Sequence, residues 1–413
     1  MRRGILLTAA AAATLALTAC GGGNGDAGDA TPTPDDTAAE TPAAAGALTV
    51  WVDETRLGPV QDAANAFTAE TGTQVEIVQK NFEDIRTDFI AQVPTGEGPD
   101  ITVGAHDWLG ELTQNGVVAP IELGDKAGDF EDVAIAAFTQ DGQVFGLPYA
   151  IENIALIRNT DLAPEAPATW DDAIAVATAA GTEFKVLVQT GTEGDPFHYY
   201  PLQTSFGAPV FEQNEDGSYN PVLKLGGEPG HNFANWLAEQ GQAGNLSVDI
   251  TSDIANEAFA DGKAPFLIGG PWTLSNFEGL NISVDPIPSA GGETAAPFVG
   301  VQGFYLSAQS QNALVANDFL VNFLATEDVQ TALYEAGGRP PALTAAAEAA
   351  SADPIVAGFR AVGAEGVPMP SIPQMASVWA FWGVTQAQII SGQAADPAAA
   401  WDQMVSDIQG AID

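Results

Sequence analysis

The chain has 413 residues, with 54 Asp and Glu against 12 Lys and Arg, a formal net charge of −42, and one cysteine. A surface this acidic repels nucleic acid and anionic lipid and favours a neutral ligand over an anionic one. One cysteine excludes an internal disulfide, while 46% hydrophobic residues and 8 Trp mark a globular body and not a disordered chain.

Met1-Arg2-Arg3 opens the chain, and an apolar or small run follows from Gly4 to Ala19. That run is too short and too rich in alanine for a membrane span, and it reads as an export signal. Leu17-Thr18-Ala19-Cys20 has the pattern of a bacterial lipobox, and the sole cysteine stands at the lipidated position. The plainer alternative is a secretory signal with a chance cysteine. Residues 1–19 are therefore expected to be a lipoprotein signal peptide and Cys20 the acylated first residue of the mature chain. Residues 20–46, dominated by Gly, Ala, Asp, Thr and Pro, read as a disordered tether. A flexible segment of that length would hold the body about 25–30 Å from the extracellular face of the cell membrane.

Order begins at Ala47. Leu48–Val52 is a short β-prone run, followed by a polar turn at 53–56; Val60, Ala63, Ala64 and Phe67 then recur at helical spacing up to Gly72. Val75–Val78 is the next strand, Phe82–Gln92 a helix and Ile101–Val103 a third strand. Strands alternating with helices predict an α/β fold with a mostly parallel sheet covered on both faces. Thr169 reads as the cap of a helix, with Asp172 three residues on and Gly181 as its stop. Phe319, Leu320, Phe323 and Leu324 form the core stripe of another helix. The ordered chain exceeds what one hydrophobic core fills, so two lobes are expected. In open α/β sheets ligands sit outside the carboxyl ends of strands. The turn 53–56 and the segment Gly104-Ala105-His106-Asp107-Trp108 each follow a strand and are the first places to look.

A series of short motifs then recurs in order. They are Thr95–Ile101 leading into Ala105-His106-Asp107, Leu147-Pro148-Tyr149-Ala150-Ile151-Glu152, Asn159-Thr160-Asp161-Leu162, Gly270-Pro271-Trp272, Pro297-Phe298-Val299-Gly300-Val301 and Met369–Met375. Taken together the chain resembles the maltose-binding protein family of ABC-importer binding proteins, from about Leu48 to Ile412. The resemblance implies a two-lobed, periplasmic-binding-protein-like fold whose lobes close by a hinge over a sugar held in the cleft. It places an N-terminal lobe at 47–151 plus 298–345 and a C-terminal lobe at 152–297 plus 346–413. It further implies a monomer that hands a maltose- or maltodextrin-type oligosaccharide to the importer's membrane subunits and touches the membrane only through its lipid anchor.

A sugar ring offers apolar C–H faces to aromatic side chains and a hydroxyl rim to carboxylates, Arg and amides. The resemblance assigns such roles to Glu54 and Arg56 in the first turn, leaving open whether Asp53 or Glu54 faces the cleft. It assigns Asp107 and Glu152 as hydroxyl ligands, and Asp195 and Phe197 as a carboxylate and an aromatic from the second lobe. Trp272 and Trp379 are the aromatic platforms, and Met369 a lining residue. Trp108 stands where the family has a basic residue, so stacking replaces hydrogen bonding there. Gly104 in place of an aromatic removes a wall of the cleft. Ala380 and Gly383 replace a tyrosine and an arginine near Trp379, with Trp382 or His198 as candidate substitutes. Trp51, Trp170, Trp236 and Trp401 are expected in the core.

The chief rival is a secreted carbohydrate-active hydrolase, which would need two carboxylates flanking the scissile bond; Glu152 and Asp195 are the candidates. Only three histidines exist, at 106, 198 and 231, without ligand spacing, so no metal or other cofactor is expected. There is no phosphate-binding Gly-rich loop, nucleophile elbow or basic stripe for nucleic acid.

Overall fold

A computed structural model describes residues 46–412 except 215–217. The signal peptide 1–19, Cys20 and the tether up to residue 45 lie outside the described residues, and no described helix is long and apolar enough to cross a membrane.

The first lobe starts with β1 (Leu48–Val52), α1 (Glu54–Thr71), β2 (Val75–Gln79), α2 (Phe82–Gln92) and β3 (Ile101–Ala105). β1 pairs in parallel with both β2 and β3. What the sequence presents as a polar turn is the start of α1: Asp53 is its N-cap and Gly72, at φ 78°, its left-handed C-cap. Val60, Ala63, Ala64 and Phe67 turn inward from α1, and Phe67 meets Phe319 and Phe323 at 5.2 and 4.8 Å. Farther along come α3 (Asp132–Ala137) and β4 (Gly146–Asn153).

After Ile154 the chain enters the second lobe with β5 (Ala155–Asn159), α4 (Trp170–Ala180), β6 (Leu187–Val188), α5 (Pro196–Thr204), α6 (Gly227–Gln242), β7 (Phe266–Gly269) and β8 (Ile282–Asp285). The capping box of Thr169 and Asp172 opens α4 and Gly181 ends it, as the sequence predicts. The chain then returns along β9 (Phe298–Ser307) and continues through α7 (Glu327–Gly337), α8 (Pro354–Gly363), β10 (Val367–Pro368), α9 (Met375–Ile390) and α10 (Pro397–Ile412).

The sheets are mixed, which corrects the expectation of mostly parallel pairing. The first has the order β10-β9-β3-β1-β2, with β4 also on β9; β9 runs antiparallel to β3 and β4. The second has the order β8-β5-β7-β6, and β5 is antiparallel to both neighbours. The reason is non-local: β9 is supplied by a chain coming back from the other lobe, so it enters the sheet against the direction of β3. One residue, Ile154, separates β4 in one sheet from β5 in the other. β9 spans the same boundary, since Phe298 belongs to the core of the second lobe and Phe304, Tyr305 and Leu306 to that of the first.

Trp51, Trp170, Trp236 and Trp401 are all buried. The Trp170 indole donates to Gln240 and that of Trp401 to the Leu225 carbonyl, so burial leaves neither indole N–H unpaired.

Candidate functional site

The carboxyl end of β1, the strands β4 and β9, and the segment after α7 converge on a buried ring of polar groups. Asp53 accepts from the backbone N–H and hydroxyl of Thr55 at 2.9 and 2.8 Å and pairs with Arg56. Arg56 also donates to the Tyr149 hydroxyl and, at 3.1 Å, to Gln302 Oε1. Gln302 Nε2 donates to Glu152 Oε1 at 2.7 Å, and Glu152 Oε2 accepts from Arg339 Nε at 2.7 Å. Arg339 Nη1 closes the ring by donating to Thr55 Oγ1 at 3.2 Å. Burial, then the nearby charge of Arg339, lowers the Arg56 pKa to about 10, opposed by Tyr149 and Glu152. The carboxylate turned into this ring is Asp53; Glu54 is exposed on the first turn of α1.

The segment after β3 supplies the next groups. His106 Nδ1 accepts from the Val301 N–H at 3.0 Å, so its Nε2 carries the proton donated to the Met369 carbonyl at 3.0 Å. Burial lowers its pKa to about 4 and keeps it a neutral tie between β9 and the 369 segment. Asp107 is 7% exposed; Oδ2 accepts from the Trp379 indole at 3.3 Å, across the cleft, while Oδ1 is buried without a partner. Burial raises its pKa to about 6, against the pull of Arg86 and the Trp379 bond. Trp108 lies directly on Gly104, where an added Cβ would come within 2.6 Å of the indole. The glycine therefore does not open the wall, as the sequence suggests; it makes room for Trp108. Phe82, at 5.1 Å, and the Arg86 guanidinium, at 5.9 Å, flank that ring.

The opposite wall is aromatic. Trp272, in the turn after β7, folds back over Gly270, where a Cβ would sit 2.1 Å from the ring. Phe197 lies 6.2 Å from Trp272 and 6.4 Å from Phe298, and Trp379 lies 6.3 Å from Phe298. Phe197, Trp272 and Trp379 are each partly exposed, whereas Phe298 is buried behind them. The Arg339 guanidinium stands 5.4 Å from the Trp272 ring, bringing the polar ring to the edge of the aromatic wall. Met369 is buried beside Gly300, whose other neighbour is Glu152.

Asp195 is engaged locally. It caps α5 through the His198 N–H at 3.1 Å and accepts from Gln189, and its Oδ2 lies 3.0 Å from His198 Nδ1. Burial would raise its pKa, but His198 and these hydrogen bonds outweigh burial and hold it below the ordinary value. Of the two proposed substitutes near Trp379, Trp382 is fully buried and donates to Gln203, and His198 is buried with its ring edge-on to Trp272 at 6.2 Å. At Gly383 the backbone of Glu193 and Gly194 packs so closely that a side chain would collide with it.

A family model described as bacterial extracellular solute-binding protein matches residues 62–358. The chain belongs to this family. The solute-binding protein is 28% identical to the galactooligosaccharide-binding protein of Bacillus subtilis, over 97% of this chain and 95% of that one. It is 29% identical to the maltodextrin-binding protein MdxE of the same organism, over 80% and 82% of the two chains. Among solved structures it superimposes on the maltotriose-bound maltotriose-binding protein of Thermus thermophilus with a TM-score of 0.79 and 32% identity, over 89% of this chain and 100% of that one. The two-lobed fold of these binding proteins is thus the fold of this chain.

Several members of the site go beyond those singled out from the sequence. Tyr149 and Gln302 lie in or beside quoted motifs, but nothing local marks them as partners of Arg56. Arg339 had a usable signal: Gly337-Gly338-Arg339-Pro340-Pro341 combines a left-handed helix cap with an extended exit, a pattern that fixes where a side chain points. Phe82 shows only as the first residue of a helix. Among the described residues no group of three or more His, Cys, Asp or Glu is placed to hold a metal ion.

Proposed function

We propose that this solute-binding protein captures a neutral oligosaccharide of the maltodextrin class in its cleft and delivers it intact to an ABC importer. The observation that carries this reading is the pairing of walls. One presents a fixed ring of charged and amide groups, with an unpartnered Asp107 oxygen nearby; the other presents the partly exposed rings of Phe197, Trp272 and Trp379. Rings stack on the C–H faces of a sugar and the polar wall reads its hydroxyls. The crossings near 151 and 297, and the third near 345, divide the chain into the two lobes that close over it. Glu152, paired with Arg339, and Asp195, held in a helix cap, both serve binding and architecture here, not acid–base chemistry.

A thermal-shift screen against maltose, maltotriose, longer maltodextrins and galactooligosaccharides tests the reading. The matching sugar at a hundred times its Kd stabilises by about 2.7 kcal/mol; no shift with any of them would contradict it. The anchor is tested separately. Cys20→Ser should move the protein from the membrane fraction to the medium or leave it uncleaved, because acylation needs the thiol. Unchanged membrane retention would remove Cys20 from that role.

A further inference from the structure

Behind the hinge, on the side away from the aromatic wall, lies a cavity of about 350 Å³. Strand alternation fixes its side: Glu152 faces the cleft, so Ile151 and Asn153 face the opposite way, and both line this cavity together with Val299 of β9. Its other walls come from both lobes. Glu131, at the start of α3, belongs to the first, where its N–H bonds the Ala342 carbonyl and Ala134 enters the core. Arg360, on α8, belongs to the second, where Phe359 and Val362 pack into the core beneath β8.

Both charges are idle. Among the described residues Arg360 is the one Lys or Arg that makes neither an ion pair nor a hydrogen bond, in a chain where acids outnumber bases 54 to 12. Glu131 occupies an N-cap position, yet its carboxylate makes no cap bond and no ion pair. The two share the lining of one cavity, on different lobes, without touching. In this arrangement the cleft walls are together, as the Asp107–Trp379 bond and the approach of Arg339 to Trp272 show. Rotation about β4 and β9 that parts the walls in front must narrow the space behind.

We propose that Glu131 and Arg360 form an ion pair across the back of the hinge when the cleft opens. It acts as a latch for the open form and lowers sugar affinity from outside the sugar site. The inference rests on the sugar-binding reading only for its affinity readout. An ion pair present in one of two states shifts their equilibrium by its own free energy, and apparent affinity follows the population of the competent state. Partly exposed pairs are worth up to about 1 kcal/mol, a factor of about five at most.

The test uses the full chain with Glu131→Gln, Arg360→Gln, the double variant and the exchanged pair Glu131→Arg with Arg360→Glu. Each single variant should bind maltotriose about two- to fivefold more tightly at low salt. The double should gain no more than a single, the exchange should restore wild-type affinity, and 1 M salt should erase the differences. Ligand-free scattering should give a smaller radius of gyration for both single variants than for wild type. Unchanged affinity and size in both singles, or gains that add in the double, would overturn the latch. A wild-type chain that binds none of the sugars would instead overturn the functional reading, and the ligand-free scattering would still decide the latch.

Discussion

The two walls of the cleft differ in chemistry and in how far their groups are already committed to one another. In the first lobe Asp53, Arg56, Tyr149, Gln302, Glu152 and Arg339 satisfy one another, and Arg56 is 1% exposed. In the second, Phe197, Trp272 and Trp379 keep part of their surface open; Phe197 and Trp379 rest on a buried layer of Phe298 and Trp382, and Trp272 packs against Phe197. The difference separates two tasks. A closed polar ring holds donors and acceptors in fixed places and cannot be dismantled to greet a ligand, because a buried charge without its partner is costly. An aromatic face holds nothing in reserve except area, so it supplies attraction without dictating which hydroxyl goes where. On the proposed sugar-binding reading, position is set by the first wall and most of the affinity by the second.

The largest effect that would break this contrast is in the polar ring. Arg339→Ala strands Glu152 and releases Thr55, and chemical denaturation should register a loss of about 3–5 kcal/mol in stability along with loss of sugar binding. A loss below about 1 kcal/mol would mean that the ring is ornamental. Trp272→Ala and Trp379→Ala should act the other way round. Each should weaken sugar binding by about tenfold or more while leaving the melting temperature nearly intact, since a hot-spot aromatic carries binding more than folding. Wild-type affinity in both variants would place these rings outside the site.

A smaller and sharper effect concerns two neighbours on the same loop. Burial raises the Asp107 pKa from 3.8 to about 6, so folding favours its protonated form. Its contribution to stability is therefore best below pH 4 and falls as pH rises through 6. Ligand-free Asp107→Asn should be more stable than wild type at pH 7, by on the order of 2 kcal/mol, and equal to it near pH 4. The same substitution should weaken sugar binding at pH 7, where the carboxylate accepts. His106 runs in the opposite sense: burial lowers its pKa from 6.5 to about 4, so its contribution is full above 6.5 and is lost as pH falls toward 4. Stability profiles of Asp107→Asn against wild type, read from pH 4 to 8, check the sign, and a variant less stable at pH 7 would reverse it.

Much of the fold was legible because its signals are local. The bounds of α2, the Thr169–Asp172 box and the Gly72 and Gly181 stops follow from caps and spacing within a few residues. The direction of β9 was not legible, because it depends on a strand returning from the other lobe, with Gln302 of β9 paired to Ala105 of β3 far back along the chain. The site divides the same way. Trp272 and Trp379 announce themselves as residue types suited to a sugar face, and the structure leaves both partly open. Asp195 is fixed in place by the α5 cap it forms, which its neighbours Pro196 and His198 foreshadow. Gly104 could be read only as a missing wall, since the indole that fills the space comes from four residues on and its direction is set by Phe82 and Arg86.

The central claim is that a sugar joins the two walls and is released unchanged. Both contribute groups to one cleft, so a ligand that touches both favours the closed form over the open one. Solution scattering with and without saturating maltotriose, followed by chromatography of the recovered sugar, tests this most directly. The account predicts a smaller radius of gyration on addition of sugar and an intact trisaccharide afterwards. A bound sugar with no compaction, or new reducing ends in the recovered material, would contradict it.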